Sequence, residues 1–255
     1  MKLLVPFKQV LDPAGLTVNR KAGKVFVNRE DYMMNPAARR ALEAALKIKD
    51  EMGAEVIALS AGPARAMDSL RDARALGADR AIYIPLDRGD EAVAVCVTVA
   101  AVNYVGGVDL ILTGESTLDT GIMSAPRTAE ALGWPIIGDA VACSMEGKTV
   151  RVIRRDVPVE RLRDDPPGRL YNTYETDLPA LVTFTREAPL TRYAHGGDIM
   201  AVYRDPEAVE TLTLADLGLT DSDLATVTAE RGQSFPPERE FGKQVSLEEI
   251  AAMIR

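Results

Sequence analysis

Apolar residues recur along the first 145 positions in two alternating rhythms. Short runs that are apolar nearly throughout stand at residues 2–10 (KLLVPFKQV), 55–60 (EVIALS), 81–85 (AIYIP) and 108–114 (VDLILTG). Longer stretches with helical periodicity separate them. In the clearest, Ala38, Ala41, Leu42, Ala45, Ile48 and Met52 share one face. Asn35 stands at the N-cap, Pro36 at the first helical position and Gly53 at the end. Further helices are expected from Gly62-Pro63 to Gly77, from Asp90 to Val105, and from the loop after Gly114 to Gly133. KVFV (24–27) reads as a short strand after the Ala22-Gly23 turn, and PIIGDAVACS (135–144) as another strand.

Strands that are apolar throughout and alternate with helices predict an α/β fold with a parallel sheet covered on both faces. Beyond residue 145 the rhythm changes. KTVRVIRR (148–155) alternates apolar and polar residues, a stretch rich in Arg, Asp and Pro follows, and LPALVTF (178–184) is again a strand. These segments read as antiparallel additions to the sheet. From about Asp205 the chain turns polar, with short helical patches at 214–217 and 246–254, the second opened by a Ser246/Glu249 capping box. The expected organisation is a domain over 1–204 and an arm over 205–255 that wraps this domain or a partner.

Composition narrows the function. The 255 residues are 47% hydrophobic, enough for a sizeable core, and the net charge of −8 argues against nucleic acid or an anionic membrane surface. No apolar run reaches the roughly 20 residues needed to cross a bilayer, and the N-terminus lacks the pattern of a signal peptide. Cys96 and Cys143 have no CxxC partner and read as buried thiols in a reducing, cytoplasmic setting. His195 is the single histidine, which excludes a multi-histidine metal site and leaves little basis for a hydrolytic triad.

Ligands of open parallel sheets bind at the carboxyl ends of strands, where strand order reverses. Ser60-Ala61-Gly62-Pro63 puts small residues at one such end, which suits either close approach of adenine or phosphate or an ordinary strand-to-helix turn. LTGESTLDTG (112–121) offers Gly114, Ser116, Thr117 and Thr120 as donors at a helix entrance, yet Glu115 and Asp119 would repel a phosphate. Neither GxGxxG nor GxxxxGK[ST] occurs. Arg154, Arg155, Arg161, Arg163 and Arg169 lie among Asp156, Glu160, Asp164 and Asp165, which favours a solvated hairpin over a phosphate site.

MMNPAARRALEAALKIKDE, EVIALSAGPARA, LGADRAIYIP, VDLILTGES and LPALVTF, in this order, with RYA (192–194) and the ending SLEEIAAMIR, resemble the beta subunit of electron transfer flavoproteins over nearly the whole chain. The resemblance implies a Rossmann-like domain of the adenine-nucleotide alpha-hydrolase type with an antiparallel extension. It implies an electron carrier subunit, not an enzyme by itself, in a heterodimer with an alpha subunit. FAD, held mainly by the alpha subunit, would pass electrons from flavin dehydrogenases to a quinone oxidoreductase or another acceptor. The beta subunit would bind AMP or, in electron-bifurcating members, a second FAD. Carried over, the nucleotide contacts are Pro6, Asn35, Ser60, Ala61, Gly114, Glu115, Ser116, Asp119, Thr120, Gly121, Met123 and Ser124. The partner-docking residues are Arg192, Tyr193, Gly196, Ile199 and Met200. The alternative from another class is a universal-stress-type nucleotide-binding homodimer.

The chain also departs from the family. Its phosphate loop is one residue shorter after Asp119, with Met123 where Gln is common and Ala125 where Gly is common, so fewer side-chain donors remain. Pro13 stands where mammalian-type members carry a tyrosine that reaches towards the flavin, and Gly196 where they place a leucine anchor. Loss of that anchor removes docking energy, so the expected partner is either not a mammalian-type acyl-CoA dehydrogenase or is met by Ile199 and Met200 instead. DDPPGRLYN (164–172) is an insertion relative to the family's short acidic turn.

Overall fold

The computed structural model describes residues 1–87, 89–119, 121, 123–156, 170–226 and 245–254. The chain opens with β1 (Lys2–Pro6) and β2 (Gln9–Leu11). A hairpin of β3 (Leu16–Asn19) and β4 (Lys24–Val27) follows, then β5 (Tyr32–Met34), which pairs antiparallel with β2. The expected 2–10 run is therefore two strands in different sheets, because the chain leaves the main sheet after Pro6. The four small strands after β1 were legible only at 24–27. Next come α1 (Pro36–Met52), β6 (Glu55–Gly62), α2 (Ala66–Leu76), β7 (Arg80–Pro85), α3 (Glu91–Tyr104), β8 (Leu110–Gly114) and α4 (Ser124–Leu132). The extension comprises β9 (Ile136–Glu146), β10 (Thr149–Asp156), β11 (Leu170–Asp177) and β12 (Ala180–Phe184). The chain continues through α5 (Gly196–Arg204), β13 (Glu210–Thr211) and α6 (Leu247–Ile254).

The main sheet has the order β11-β10-β9-β12-β8-β1-β6-β7-β13. From β9 to β13 every neighbouring pair is parallel, and only β10 runs against the others, antiparallel to both β9 and β11. The expectation for 178–184 needs correction. LPALVTF is not an antiparallel addition: β12 lies parallel between β9 and β8, with all five of its residues buried. Its unbroken apolar run suits a strand covered on both faces.

Alternation along β1 divides the core in two. Leu3 and Val5 pack with the buried stripes of α1 and α2, whereas Leu4 packs with those of α3 and α4 on the other face. The α1 stripe holds as expected except at Met52, which is exposed at the end of the helix. Gly53 closes α1 in the left-handed region (φ 69°), where glycine avoids the β-carbon clash. Expected helical residues 214–217 form only a turn that closes on the Leu214 carbonyl. Ser246 and Glu249 do make the reciprocal capping box.

Residues after 205 begin on this chain's own surface. β13 pairs with β7, Leu212 is buried, and Leu214, Leu217, Leu219 and Leu224 pack against the α3 and α4 core. Cys96 and Cys143 are free thiols with some exposed surface, not fully buried as expected. Burial of its sulfur nevertheless pushes Cys143 up to about 12. Among the described residues, no helix is long and apolar enough to cross a membrane.

Candidate functional site: a cavity at the switch point

The sheet winds outward from β1 in both directions, through β6 and β7 on one side and β8 and β12 on the other. The carboxyl ends of β1 and β8 therefore flank the crevice where such sheets bind ligands. A cavity of about 760 Å³ lies there, within the range of small-molecule sites. It gathers Pro6, Asn35, Ala61 and Gly114 from the strand ends and the α1 entrance. From the loop and the start of α4 it gathers Ser116, Asp119, Gly121 and Ser124.

The wall is built by close approach. A β-carbon at Gly114 would stand 2.7 Å from the Ala38 nitrogen and 2.9 Å from the Ala37 β-carbon, so only glycine lets β8 end against the first turn of α1. Asn35 occupies the N-cap position, but its side chain makes no capping bond, contrary to expectation. It is 1% exposed, and its Nδ2 donates to the Ser116 carbonyl at 2.7 Å. The amide thus ties the helix entrance to the loop 81 residues away. The Thr113 hydroxyl donates to the Pro6 carbonyl at 2.9 Å and joins β8 to β1 beneath the cavity.

The structure does not bring three of the expected contacts to this cavity. Ser60 is buried, and its hydroxyl donates to the Phe7 carbonyl at 3.0 Å, so it is an internal tie. Met123 points out, half of it exposed. Glu115 faces a second cavity of about 380 Å³, with Asp139, Ile136 and Thr183. Burial first, then a hydrogen bond that protonated Glu115 donates to Asp139 and the charge of that residue, raise the Glu115 carboxyl above the ordinary carboxylate range, against Arg155 and Arg186. Thr120 lies outside the described residues.

The two acids of the loop are thus handled differently. Glu115 turns to the other side of β8. Asp119 pairs with Lys8, its carboxylate 2.8 Å from Nζ. Lys8, Phe7, Arg65 and Glu91 also line the cavity, as does Thr226 from the polar tail. Phe7 and Lys8 stand in VPFK, the end of the first strand and so a candidate ligand end in the sequence; Arg65, Glu91 and Thr226 were missed. Only Asp90-Glu91, at a marked helix start, gave a local signal. Asp90 caps α3 by accepting from Ala92 at 2.9 Å and Val93 at 3.2 Å.

The 192–200 residues form a separate surface. Arg192 is used internally: its Nε lies 3.1 Å from a Glu43 carboxylate oxygen and its NH2 2.7 Å from Asp50, both on α1. Tyr193 is 97% exposed, and Ile199 and Met200 are exposed on α5. A β-carbon at Gly196 would meet nothing. His195 caps α5, its Nδ1 accepting from the Gly197 N–H at 3.2 Å. In the basic cluster, Arg154 faces Asp139 at 3.7 Å and Arg155 pairs with Glu187, neither of them an acid of the expected hairpin. Arg161, Arg163 and Arg169, and most of the 164–172 insertion, lie outside the described residues.

A model of the electron transfer flavoprotein domain matches residues 23–189. Subunit CarD of the caffeyl-CoA reductase-Etf complex of Acetobacterium woodii is 32% identical over 256 aligned positions, covering 96% of this chain and 92% of its own. Electron transfer flavoprotein subunit beta of Sus scrofa is 30% identical over 265 positions, covering 100% and 97%. The subunit beta of Bacillus subtilis is 30% identical over 249 positions, covering 95% and 91%.

Proposed function

Because the chain belongs to the electron transfer flavoprotein family and is related along its length to its beta subunits, we propose that it is the beta half of a heterodimeric electron shuttle. Its alpha subunit holds the FAD, which supplies the one- and two-electron chemistry. This chain forms a wall of that flavin cleft, binds an adenine nucleotide and presents a docking surface. Electrons pass from flavin dehydrogenases to a quinone oxidoreductase or another acceptor. The chain is no enzyme by itself and works in the cytoplasm.

The preformed cavity at the switch point carries the nucleotide part of the reading. Pro6, Asn35, Ala61 and Gly114 offer a small-residue seat for adenine, and the loop to Ser124 leads towards the phosphate end. The ligand is AMP, which carries no electrons. Tyr193, Ile199 and Met200 contact the electron-transfer partner, and the arm over 205–255 embraces the alpha subunit. A second reading puts a second FAD in the same cavity. Its size favours this, since about 760 Å³ lies in the upper part of the range for small-molecule sites, about 300–1,000 Å³.

Flavin and AMP content of the complex purified with its alpha subunit tests both readings. One FAD and one AMP per heterodimer is the expected result. Two FADs and no AMP would replace it with the second reading. A stable homodimer that binds ATP and carries no flavin would overturn both in favour of a universal-stress-type protein.

A further inference from the structure

α3 is apolar almost all the way round. From Glu91 to Val102 its residues are Ala, Val, Cys and Thr apart from the opening acid, and only Ala94 among them is exposed. One face of such a helix meets the sheet, and its outer face needs a cover of its own. The chain from Glu210 to Thr226 supplies it. Between Thr213 and Thr226, Leu214, Leu217, Leu219 and Leu224 are half-buried against the α3 and α4 core, and every other residue is exposed. The helical turn Asp221–Leu224 packs on α3.

The two ends of this segment are held unequally. At its start β13 pairs with β7, Leu212 is buried, and Glu210 accepts from the Tyr104 hydroxyl at 2.9 Å and pairs with Arg80 at 2.8 Å. Beyond Leu212 the polar side chains bond within the segment, Thr213 with Asp216 and Thr220 with Asp223, and the leucines supply the hold on the body. Tyr104 is the last residue of α3, whereas Thr226 lines the switch-point cavity, as do Glu91, Ala94 and Val97 from the first half of that helix. The segment therefore runs back along α3 and ends, exposed, at the rim of the cavity.

We propose that residues 210–226 are a strap that retains the nucleotide of this cavity: pinned at β13 and seated on α3 by its leucines, it lifts at its Thr226 end before the ligand leaves. The inference rests on the nucleotide-binding reading above. A bound ligand gives the weakly held end a further surface to lie on, so by linkage occupancy steadies the strap. Leu224 is the place to loosen it. It lies two residues from the rim and is only half-buried, so its truncation leaves the main core intact.

The test uses the full chain purified with its alpha subunit, freed of the nucleotide in this cavity with the alpha-subunit FAD kept in place. It is reloaded with radiolabelled AMP or, in a parallel sample, with radiolabelled FAD, and release is followed after dilution into excess unlabelled ligand. Leu224→Ala and Leu219→Ala should each release the ligand about tenfold faster than the native protein. Hydrogen exchange on the native complex reads the strap without a variant. Amides of residues 219–226 should exchange at least about fivefold more slowly with ligand bound, and those of 210–212 at the same rate. Native release rates in both variants, or exchange at 219–226 that is indifferent to ligand, overturn the strap while the nucleotide reading stands. Uptake of neither AMP nor FAD by the native complex overturns the nucleotide reading and this inference with it.

Discussion

At the carboxyl ends of β1 and β8, the residues that could meet a ligand are already fastened to one another. Asn35 is bonded to the Ser116 carbonyl, Thr113 to Pro6, and Gly114 is packed on the backbone of α1. Along the segment from Leu190 to Tyr203 the arrangement is the reverse. Arg192 is pinned to Glu43 and Asp50, while Leu190, Tyr193, Ile199, Met200 and Tyr203 lie exposed. The contrast separates two ways of binding. A small ligand needs a seat whose shape is fixed beforehand, because ordering the wall on binding would cost affinity. A macromolecular partner can cover exposed apolar groups itself, so the protein need only hold the base of that surface. The cavity wall should therefore be sensitive to substitution through stability, and the displayed segment through docking alone.

The hardest test of the fixed wall is Gly114→Ala. Its new β-carbon would meet backbone atoms of Ala37 and Ala38, which cannot move as a flexible side chain can. Overpacking of this kind costs about 3 kcal/mol. Denaturant unfolding of the complex should show a loss of that order, together with weakened nucleotide binding. A loss within the range of surface substitutions, about ±0.5 kcal/mol, would mean that the wall is soft and the contrast false.

Asn35→Ala should come next. It strips the loop carbonyl of Ser116 of a donor that is buried from water, at about 2 kcal/mol. The same unfolding assay reads it. Replacement by Asp sharpens the point, since Asp keeps the shape but carries no N–H to donate to the carbonyl. Asn35→Asp should be no better than Asn35→Ala, whereas equal stability of Asp and Asn would show that the amide bond to Ser116 does nothing.

These two residues also mark what the sequence made legible. Helical periodicity and the Pro36 start located α1 and placed Asn35 at its entrance. They said nothing of Ser116, because a bond across 81 residues depends on strand order. The Lys8–Asp119 pair is hidden for the same reason. The all-apolar run in β12 signalled a strand covered on both faces but not its neighbours, so its parallel place between β8 and β9 was misread. Glu91 looked like an ordinary acid in a first helical turn, and only the fold brings it to Met123. Local pattern therefore exposed the helices, most main-sheet strands and the strand ends at 60–63 and 112–121, whereas the switch point needed the strand order. What the side chains do there depends on long-range pairing.

Glu115 tests the boundary of the cavity from its other side, through pH. Burial and Asp139 hold its folded carboxyl above the ordinary value, so the folded protein keeps a proton that the unfolded chain releases. The associated stability is fully present below the unfolded value and is lost as pH rises through the folded one. Glu115→Gln, neutral at every pH, should melt above the native protein near neutrality, and the gap should close as pH falls into the carboxylate range. A gap that does not change with pH would return Glu115 to the solvated loop acids.

The smallest effect on stability is expected at Tyr193, and it is the most telling for the displayed segment. The ring is 97% exposed, so its removal uncovers no cavity, and Tyr193→Ala should change unfolding by no more than about 0.5 kcal/mol. Arg192, one residue earlier, keeps the segment fastened to α1 in the variant. Any loss of function then belongs to the lost ring and not to a displaced backbone. Exposed tyrosines are frequent energetic anchors of interfaces, where truncation costs about 2 kcal/mol or more. If the segment docks an electron-transfer partner, the variant complex should keep its melting temperature and nucleotide affinity while its apparent affinity for that partner falls at least about tenfold. The matching control is Arg192→Ala, which should loosen the segment and lower both stability and docking. Equal partner affinity for Tyr193→Ala and native protein, with Arg192→Ala impaired in both, would leave the segment as a structural brace and remove one side of the contrast.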